Sequence, residues 1–132
     1  MWLYGFLSRN GALNRVIITS WNLNFIKTLR QLDRNLKLGY DPSLEPYPNS
    51  KEELEAFCDY LIELAKELRL YMICLREDLA QKLIDEGLAK DFIIKMAEIG
   101  CWVDVWTINK KELIKEFQAY GFIITTDLED IK

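Results

Sequence analysis

The strongest constraint on this chain is an alternation of short apolar segments with longer segments of helical periodicity. Five segments share the apolar character: 15–20, 37–40, 70–75, 101–108 and 122–126. The first contains Val16-Ile17-Ile18-Thr19, a β-branched run typical of a buried strand. Because amphipathic helices separate the segments, the order predicts an α/β fold with parallel strands and right-handed crossovers. Strands that are apolar throughout predict burial on both faces of the sheet.

Polar side chains mark the predicted helix starts. Asn22 is expected to cap a helix whose apolar face begins at Phe25. Ser50 with Glu53 fits a capping box, in which Glu53 reaches back to the cap residue. Asn109 is predicted to cap the helix 111–120.

Glycines mark the predicted helix ends. Gly87 is expected to divide the helical stretch 78–99 into two helices, and Gly100 to end the second in a left-handed conformation. After the last strand, Asp127 is predicted to open a turn or short helix that stops near Lys132.

The length indicates one globular domain, 1–132, and the composition excludes several kinds of catalyst. The chain has 132 residues, of which 50% are hydrophobic, and it contains no histidine. So apolar a chain buries enough surface to fold. Without histidine, it builds by itself no Ser-His or Cys-His pair, no imidazole base and no histidine metal site.

Charge and cysteine usage restrict the partners and the compartment. A net charge of −4, with no clustered basic run, argues against nucleic acid as a partner. No stretch approaches the roughly 20 apolar residues of a membrane span. The odd, widely spaced Cys58, Cys74 and Cys101 predict buried free thiols in a reducing cytoplasm.

The strands are expected to present polar and aromatic residues at their carboxyl ends, where parallel-sheet enzymes place their active sites. These ends are Ser20-Trp21-Asn22, Tyr40-Asp41, Arg76-Glu77-Asp78, Trp106-Thr107-Ile108-Asn109 and Thr125-Thr126-Asp127. Glu77 and Asp78 offer oxygen ligands for a hard cation. As first-turn acids of a helix, they are explained better by the helix dipole.

Three segments of this chain resemble motifs of one enzyme family. The segment Trp102-Val103-Asp104-Val105-Trp106-Thr107-Ile108-Asn109 is similar to the V-x-V-W-T-V-N strand of that family. One helix later, Gly121-Phe122-Ile123-Ile124-Thr125-Thr126-Asp127 resembles its G-x-x-x-I-I-T-D, with one additional residue. Upstream, Arg15-Val16-Ile17-Ile18-Thr19-Ser20-Trp21 resembles R-V-I-x-S-S-F, with tryptophan in place of phenylalanine. These motifs are those of the glycerophosphodiester phosphodiesterase family, and the resemblance runs through nearly the whole chain.

The resemblance implies part of a (β/α)8 barrel, a fold that needs about 250 residues. This chain resembles its last five strands, and the fold is incomplete without the first three. Those three carry, in the family, an H-R pair, an E-x-D metal pair and further metal and histidine residues. A divalent metal such as Ca²⁺ or Mg²⁺ is therefore implied for a complete member. For this chain the expectation is no metal ligand, no cofactor and no catalytic residue.

Four residues are expected, by resemblance, to line the substrate pocket: Trp106, Asn109, Ser20 and Tyr40. Each also has a purely structural interpretation. Trp106 suits a barrel core, and Asn109 suits a helix cap. Ser20 suits a turn, which is the interpretation that we favour at that position.

The leading functional hypothesis is a segment of a phosphoric diester hydrolase of lipid metabolism, inactive alone. The parent reaction is metal-dependent hydrolysis of a glycerophosphodiester, a small molecule, to glycerol phosphate and an alcohol. A rival is a non-enzymatic α/β interaction or ligand-binding module. An opened barrel leaves two sheet edges unpaired and one sheet face bare, which predicts a homo-oligomer or a complementary amino-terminal half. A flavodoxin-like domain also fits, but Ser20-Trp21-Asn22-Leu23 is no glycine-rich phosphate loop.

Overall fold

A computed structural model describes residues 2–127, and the turn or helix predicted to follow Asp127 lies outside the described residues. The strands are β1 (Ile17–Ser20), β2 (Lys37–Tyr40), β3 (Met72–Arg76), β4 (Trp102–Trp106) and β5 (Ile123–Ile124). The helices are α1 (Trp2–Arg9), α2 (Leu23–Leu32), α3 (Lys51–Leu68), α4 (Glu77–Asp85), α5 (Ala89–Glu98) and α6 (Lys111–Ala119). A short 3-10 helix, Leu13–Arg15, precedes β1.

The five strands form one parallel sheet in the order β1-β2-β3-β4-β5. Each strand pairs with the next one along the chain, and a helix follows each of the first four strands. Consecutive parallel neighbours require this βα arrangement, since each return crossing is made by the intervening helix. The predicted α/β fold, with five parallel strands and alternating helices, is confirmed.

One face of the sheet packs against the helices and forms the core. Leu38, Ile73 and Val105 on this face are fully buried, as are Ile26 of α2 and Phe117 of α6. Because side chains alternate along a strand, these positions fall at every second residue of each strand. The register pairs Tyr40 with Ile73 and Ile73 with Val103, so that the side chains of this face form one apolar layer.

The opposite face of the sheet is largely bare in the described part of the chain. We call it the open face, and four of its side chains are conspicuous: Ile17 is 43% exposed, Trp102 51%, Trp106 37% and Ile123 38%. Burial on both faces was therefore a wrong prediction for these residues. Within residues 2–127, no helix covers this face. Exposed apolar side chains of this kind are normally covered by another part of a protein.

The predicted helix starts are confirmed at α2 and α3. The Asn22 side chain accepts a hydrogen bond from the Phe25 amide at 3.2 Å, and the Ser50 hydroxyl accepts one from the Glu53 amide at 3.1 Å. The Glu53 carboxylate accepts from the Asn49 amide instead of the Ser50 amide expected for a strict capping box.

The helix ends at two glycines also follow the prediction. Gly87 separates α4 from α5, and Gly100 follows α5, with φ of 73° and 77° respectively. Only glycine adopts such left-handed backbone without strain from a Cβ atom.

The amino-terminal helix α1 has no counterpart in the sequence prediction. None of its residues is buried, but the Tyr4 hydroxyl donates to Asp33 at 3.4 Å. Trp2 and Phe6 of this helix stack on each other at the surface. No helix in the described chain is long and apolar enough to cross a membrane.

Candidate functional site

A cavity of about 160 Å³ lies at the carboxyl ends of β2, β3 and β4. We call it the strand-end cavity. Asp41 follows β2, Cys74 and Arg76 belong to β3, and Trp106 ends β4. Leu44, Glu45 and Leu79 complete much of the remaining wall. Parallel α/β folds place ligands at this end of the sheet, so the cavity is the candidate site.

Asp41 is positioned by the strand ladder. Its amide donates to the Ser20 carbonyl at 3.0 Å, which extends the pairing of β1 with β2 by one residue. Its carboxylate oxygen Oδ1 is buried and has no hydrogen-bond partner among the described residues. Burial raises the pKa of Asp41, while the neighbouring Cys74 thiol and Trp106 indole lower it. Because neither group forms a hydrogen bond to Oδ1, that atom remains a desolvated acceptor within the described residues.

Asp104 lies below this cavity on the same face of the sheet. It is directly in register with Cys74 across β3 and β4 and is only 4% exposed. Burial raises its pKa to about 6; hydrogen bonding from Thr125 lowers it, and the charge of Asp41 raises it. Burial also raises the pKa of the Cys74 thiol, and both neighbouring carboxylates act in the same direction. The open face thus contains two carboxyl groups of raised pKa near one unreactive thiol.

Arg76 lines the cavity, but its charge is already paired. Its guanidinium donates to both carboxylate oxygens of Asp78, with Nε–Oδ1 at 3.0 Å and Nη2–Oδ2 at 2.6 Å. The Tyr47 hydroxyl also donates to Asp78 at 3.1 Å. Arg76 and Tyr47 hold the pKa of Asp78 at about 2, although partial burial opposes them. Asp78, in the first turn of α4, is therefore engaged in an ion pair with Arg76.

The four predicted pocket residues do not converge on one cavity. Trp106 lines the strand-end cavity, but Tyr40 faces the opposite side of the sheet and is 5% exposed. There Tyr40 borders a wider depression of about 800 Å³ between α3 and the loop that contains Pro46 and Pro48. The Ser20 hydroxyl accepts from the Asn22 amide at 3.0 Å, as the turn interpretation predicts.

Asn109 closes the end of β5 instead of capping a helix. Its Oδ1 accepts from the Thr126 hydroxyl at 3.0 Å and from the Asp127 amide at 2.9 Å. The cap position of α6 is occupied by Lys110, which makes no side-chain cap hydrogen bond. The prediction of Asn109 as a cap was wrong, because the parallel pairing of β4 and β5 brings Thr126 and Asp127 within reach of its amide.

The residues present do not fit the divalent metal that the resemblance implies for a complete member. Among residues 2–127, no three cysteine, aspartate or glutamate side chains converge to hold an ion. Hard cations take six or more oxygen ligands, several of them from protein. Asp41 and Asp104 alone fall short of that number.

Sequence reasoning placed Asp41 at a strand end but did not single out Asp41, Cys74 or Asp104 as site residues. A usable signal was present in β4, because Asp104 stands at the centre of an apolar strand, where a charged residue is unusual. Cys74 gives no such signal by itself, because cysteine is among the most often buried residue types. Counting alternate positions back from Arg76 and Trp106 places both on the face of those two cavity residues.

Two solved structures share this fold. The first is a glycerophosphodiester phosphodiesterase from Parabacteroides distasonis, with a TM-score of 0.69 and 20% identity, matched over 96% of this chain and 45% of that chain. The second is a putative glycerophosphoryl diester phosphodiesterase from Silicibacter pomeroyi, with a TM-score of 0.66 and 17% identity, over 95% of this chain and 39% of that one. The chain therefore spans less than half the length of either structure.

Neither of the two sequence comparisons identifies a relative: no protein-family model matches the chain, and no curated protein matches it. The likeness at this level of identity establishes the α/β barrel-type fold over part of those enzymes.

Proposed function

We propose that this chain is the carboxyl-terminal portion of a glycerophosphodiester phosphodiesterase-like barrel. The observation that carries the proposal is the agreement between two independent features. The segments that contain Trp106 and Thr125 resemble motifs of that family. The two similar structures carry the family's name, and each is more than twice as long as the part that matches this chain. The chain forms one domain, 1–132, that supplies βα units of such a barrel.

The open face supports the same proposal. In a closed barrel the inner face of the sheet is filled by side chains from all strands. Trp102, Trp106 and Ile123 lie on the open face and are at least one third exposed. Three further βα units would cover these residues and pair with the free edges of β1 and β5. The proposed partner is thus a complementary amino-terminal half; a homo-oligomer is the alternative.

In this proposal the chain forms one wall of the substrate pocket, and the complementary amino-terminal half performs the chemistry. The parent reaction is metal-dependent hydrolysis of a glycerophosphodiester to glycerol phosphate and an alcohol, a step of lipid metabolism in the cytoplasm. Trp106 borders the substrate, whereas Asn109 and Ser20 hold the loops beside it, and Tyr40 supports β2 from the helix side. The metal ligands, the acid and the base belong to the first three units.

Activity of the purified chain tests this division of roles. We expect no turnover of glycerophosphocholine with Ca²⁺ or Mg²⁺, in wild type and in Trp106→Ala alike. Metal-dependent release of choline by the wild type above the Trp106→Ala control would contradict it.

The second candidate function is a non-enzymatic interaction module, favoured by the apolar open face itself. Light scattering after size-exclusion chromatography tests whether that face is used. A dimer, or a complex with an added amino-terminal half, is expected, since a bare apolar sheet with two free edges invites pairing. A monomer that binds no such half at any concentration would count against both candidates.

A further inference from the structure

We infer that the strand-end cavity recognises the alcohol part of its ligand through a hydrogen-bond donor, a hydroxyl or a primary ammonium, and that Asp41 is the recognition residue. The inference deepens the proposed function and rests on it for the nature of the substrate. A glycerophosphodiester carries both an anionic phosphate and an uncharged or cationic alcohol. We expect the cavity to bind the alcohol part and not the phosphate.

The first argument is the unpartnered oxygen of Asp41. Oδ1 is buried without a hydrogen-bond partner among the described residues. Leaving such an acceptor desolvated is unfavourable, and more so for a charged group. The ladder bond between the Asp41 amide and Ser20 holds the backbone in place. A ligand group that donates a hydrogen bond to Oδ1 would remove this cost, whereas a phosphate oxygen would not.

The second argument is the sign of the charge around the cavity. Asp41 and Glu45 contribute two carboxylates to its wall, and Arg76 contributes one guanidinium. That guanidinium is already paired with Asp78, 2.6 Å away. An incoming phosphate would therefore meet uncompensated negative charge, while an ammonium would be attracted.

The third argument is the size and composition of the wall. A volume of about 160 Å³ corresponds to roughly five water molecules of liquid, which suits an alcohol of a few heavy atoms. Trp106, Leu44 and Leu79 supply apolar surface for its carbon atoms. An aromatic ring beside a carboxylate also favours a cation by its quadrupole.

Ligand titration by ¹H–¹⁵N NMR tests the inference on the full chain. The indole signal of Trp106 is assigned by its absence in Trp106→Phe. Four probes are added separately: ethanolamine, glycerol, inorganic phosphate and tetramethylammonium, which is cationic but has no donor. We expect saturable shifts of the Trp106 signal with ethanolamine and glycerol, and none with phosphate. Tetramethylammonium should bind at least tenfold more weakly than ethanolamine.

Variants identify the residue responsible. Asp41→Asn keeps the side-chain size but loses the charge, and it should weaken ethanolamine binding at least tenfold. Asp85→Asn is the matched control, because Asp85 is exposed on α4 and outside the cavity. The comparison among the four probes on wild-type protein keeps the inference testable if Asp41→Asn fails to fold.

Three results would overturn the inference: no saturable shift with ethanolamine or glycerol, phosphate binding as tightly as ethanolamine, or unchanged affinity in a folded Asp41→Asn. Failure of the proposed function would look different. Turnover by the isolated chain contradicts the division of roles between the two halves, but it leaves the measured affinities of the cavity unchanged.

Discussion

The hydroxyl of Thr125 lies between the two carboxylate oxygens of Asp104, 2.9 Å from Oδ1 and 2.8 Å from Oδ2. The two residues are 21 positions apart, and the pairing of β4 with β5 brings them together. Thr125 donates one hydrogen bond to a carboxyl group that is otherwise removed from water. A single neutral donor is weak compensation for a buried charge.

Asp104→Asn should therefore stabilise the chain at neutral pH. The pKa of Asp104 is raised to about 6, so the folded state holds a proton that the unfolded state, with a pKa near 3.9, releases. The contribution of the Asp104 carboxyl group to the free energy of unfolding falls as the pH rises from about 4 through about 6. At pH 7 to 8 the asparagine variant should be more stable by about 1–3 kcal/mol. At pH 4 the difference should vanish.

Urea unfolding at several pH values measures this difference. Asp91→Asn is a suitable control, because Asp91 is exposed and its ion pair with Lys95 lies at the surface. A stability difference between Asp104→Asn and wild type that stays constant from pH 4 to pH 8 would contradict the prediction.

Arg30→Met should destabilise the fold by about 2–3 kcal/mol, because hydrogen bonds from a charged donor are among the stronger ones. The Arg30 guanidinium donates to four carbonyl oxygens, at distances of 2.7 to 3.0 Å: those of Leu68, Asp33, Leu36 and Arg69. It thereby joins the end of α2 to the start of β2 and the end of α3.

Chemical denaturation of three variants checks this role. Arg30→Lys should recover less than half of the loss, since an ammonium cannot present the planar fork of five donors. Lys27→Met, an exposed position on the same helix, should change stability by less than about 0.5 kcal/mol. Equal stability of Arg30→Met and Lys27→Met would show that the four hydrogen bonds contribute nothing.

Asn109→Ala should destabilise the fold by about 1–2 kcal/mol and loosen the end of β5. The variant removes the Oδ1 atom that accepts hydrogen bonds from the Asp127 amide and the Thr126 hydroxyl. Faster hydrogen exchange at the Asp127 amide is the specific readout. Lys110→Ala is the control, because Lys110 occupies the α6 cap position without a side-chain cap hydrogen bond. Unchanged exchange in Asn109→Ala would argue against this role.

The three thiols should resist Ellman's reagent in the native state at pH 8. Cys58, Cys74 and Cys101 are all buried, and burial raises the pKa of Cys58 and of Cys101 to about 12. The thiolate is the reactive form, so native labelling should follow the unfolding rate. All three should react at once in urea. Rapid labelling of any one of them in native protein would show that its site opens to solvent.

The sequence predicted the helices and strands well where the signal is local. The Asn22 and Ser50 caps involve side chains and amides three residues apart, so a short window contains all the partners. The same holds for Gly87 and Gly100, whose positive φ is a property of one residue. By contrast, the α1 segment is apolar from Trp2 to Leu7 apart from Gly5, so its sequence shows no alternation of apolar and polar positions from which a helix is recognised.

The site residues depended on distant parts of the chain. Asn109 resembles a helix cap in its local sequence, but its partners Thr126 and Asp127 come from the next strand. Tyr40 and Asp41 are neighbours in the chain, yet they face opposite sides of the sheet because strand side chains alternate.

By itself, the sequence determined the order of strands and helices and hence the parallel sheet, since hydrophobic periodicity and capping act over a few residues. Only the tertiary structure decided that Asp41, Cys74 and Trp106 border one cavity and that Thr125 bonds to Asp104. It also decided that one sheet face remains open. The reason is that lateral pairing joins residues about 20 to 35 positions apart, and register, which assigns each side chain its face and neighbours, exists only once the strands have paired.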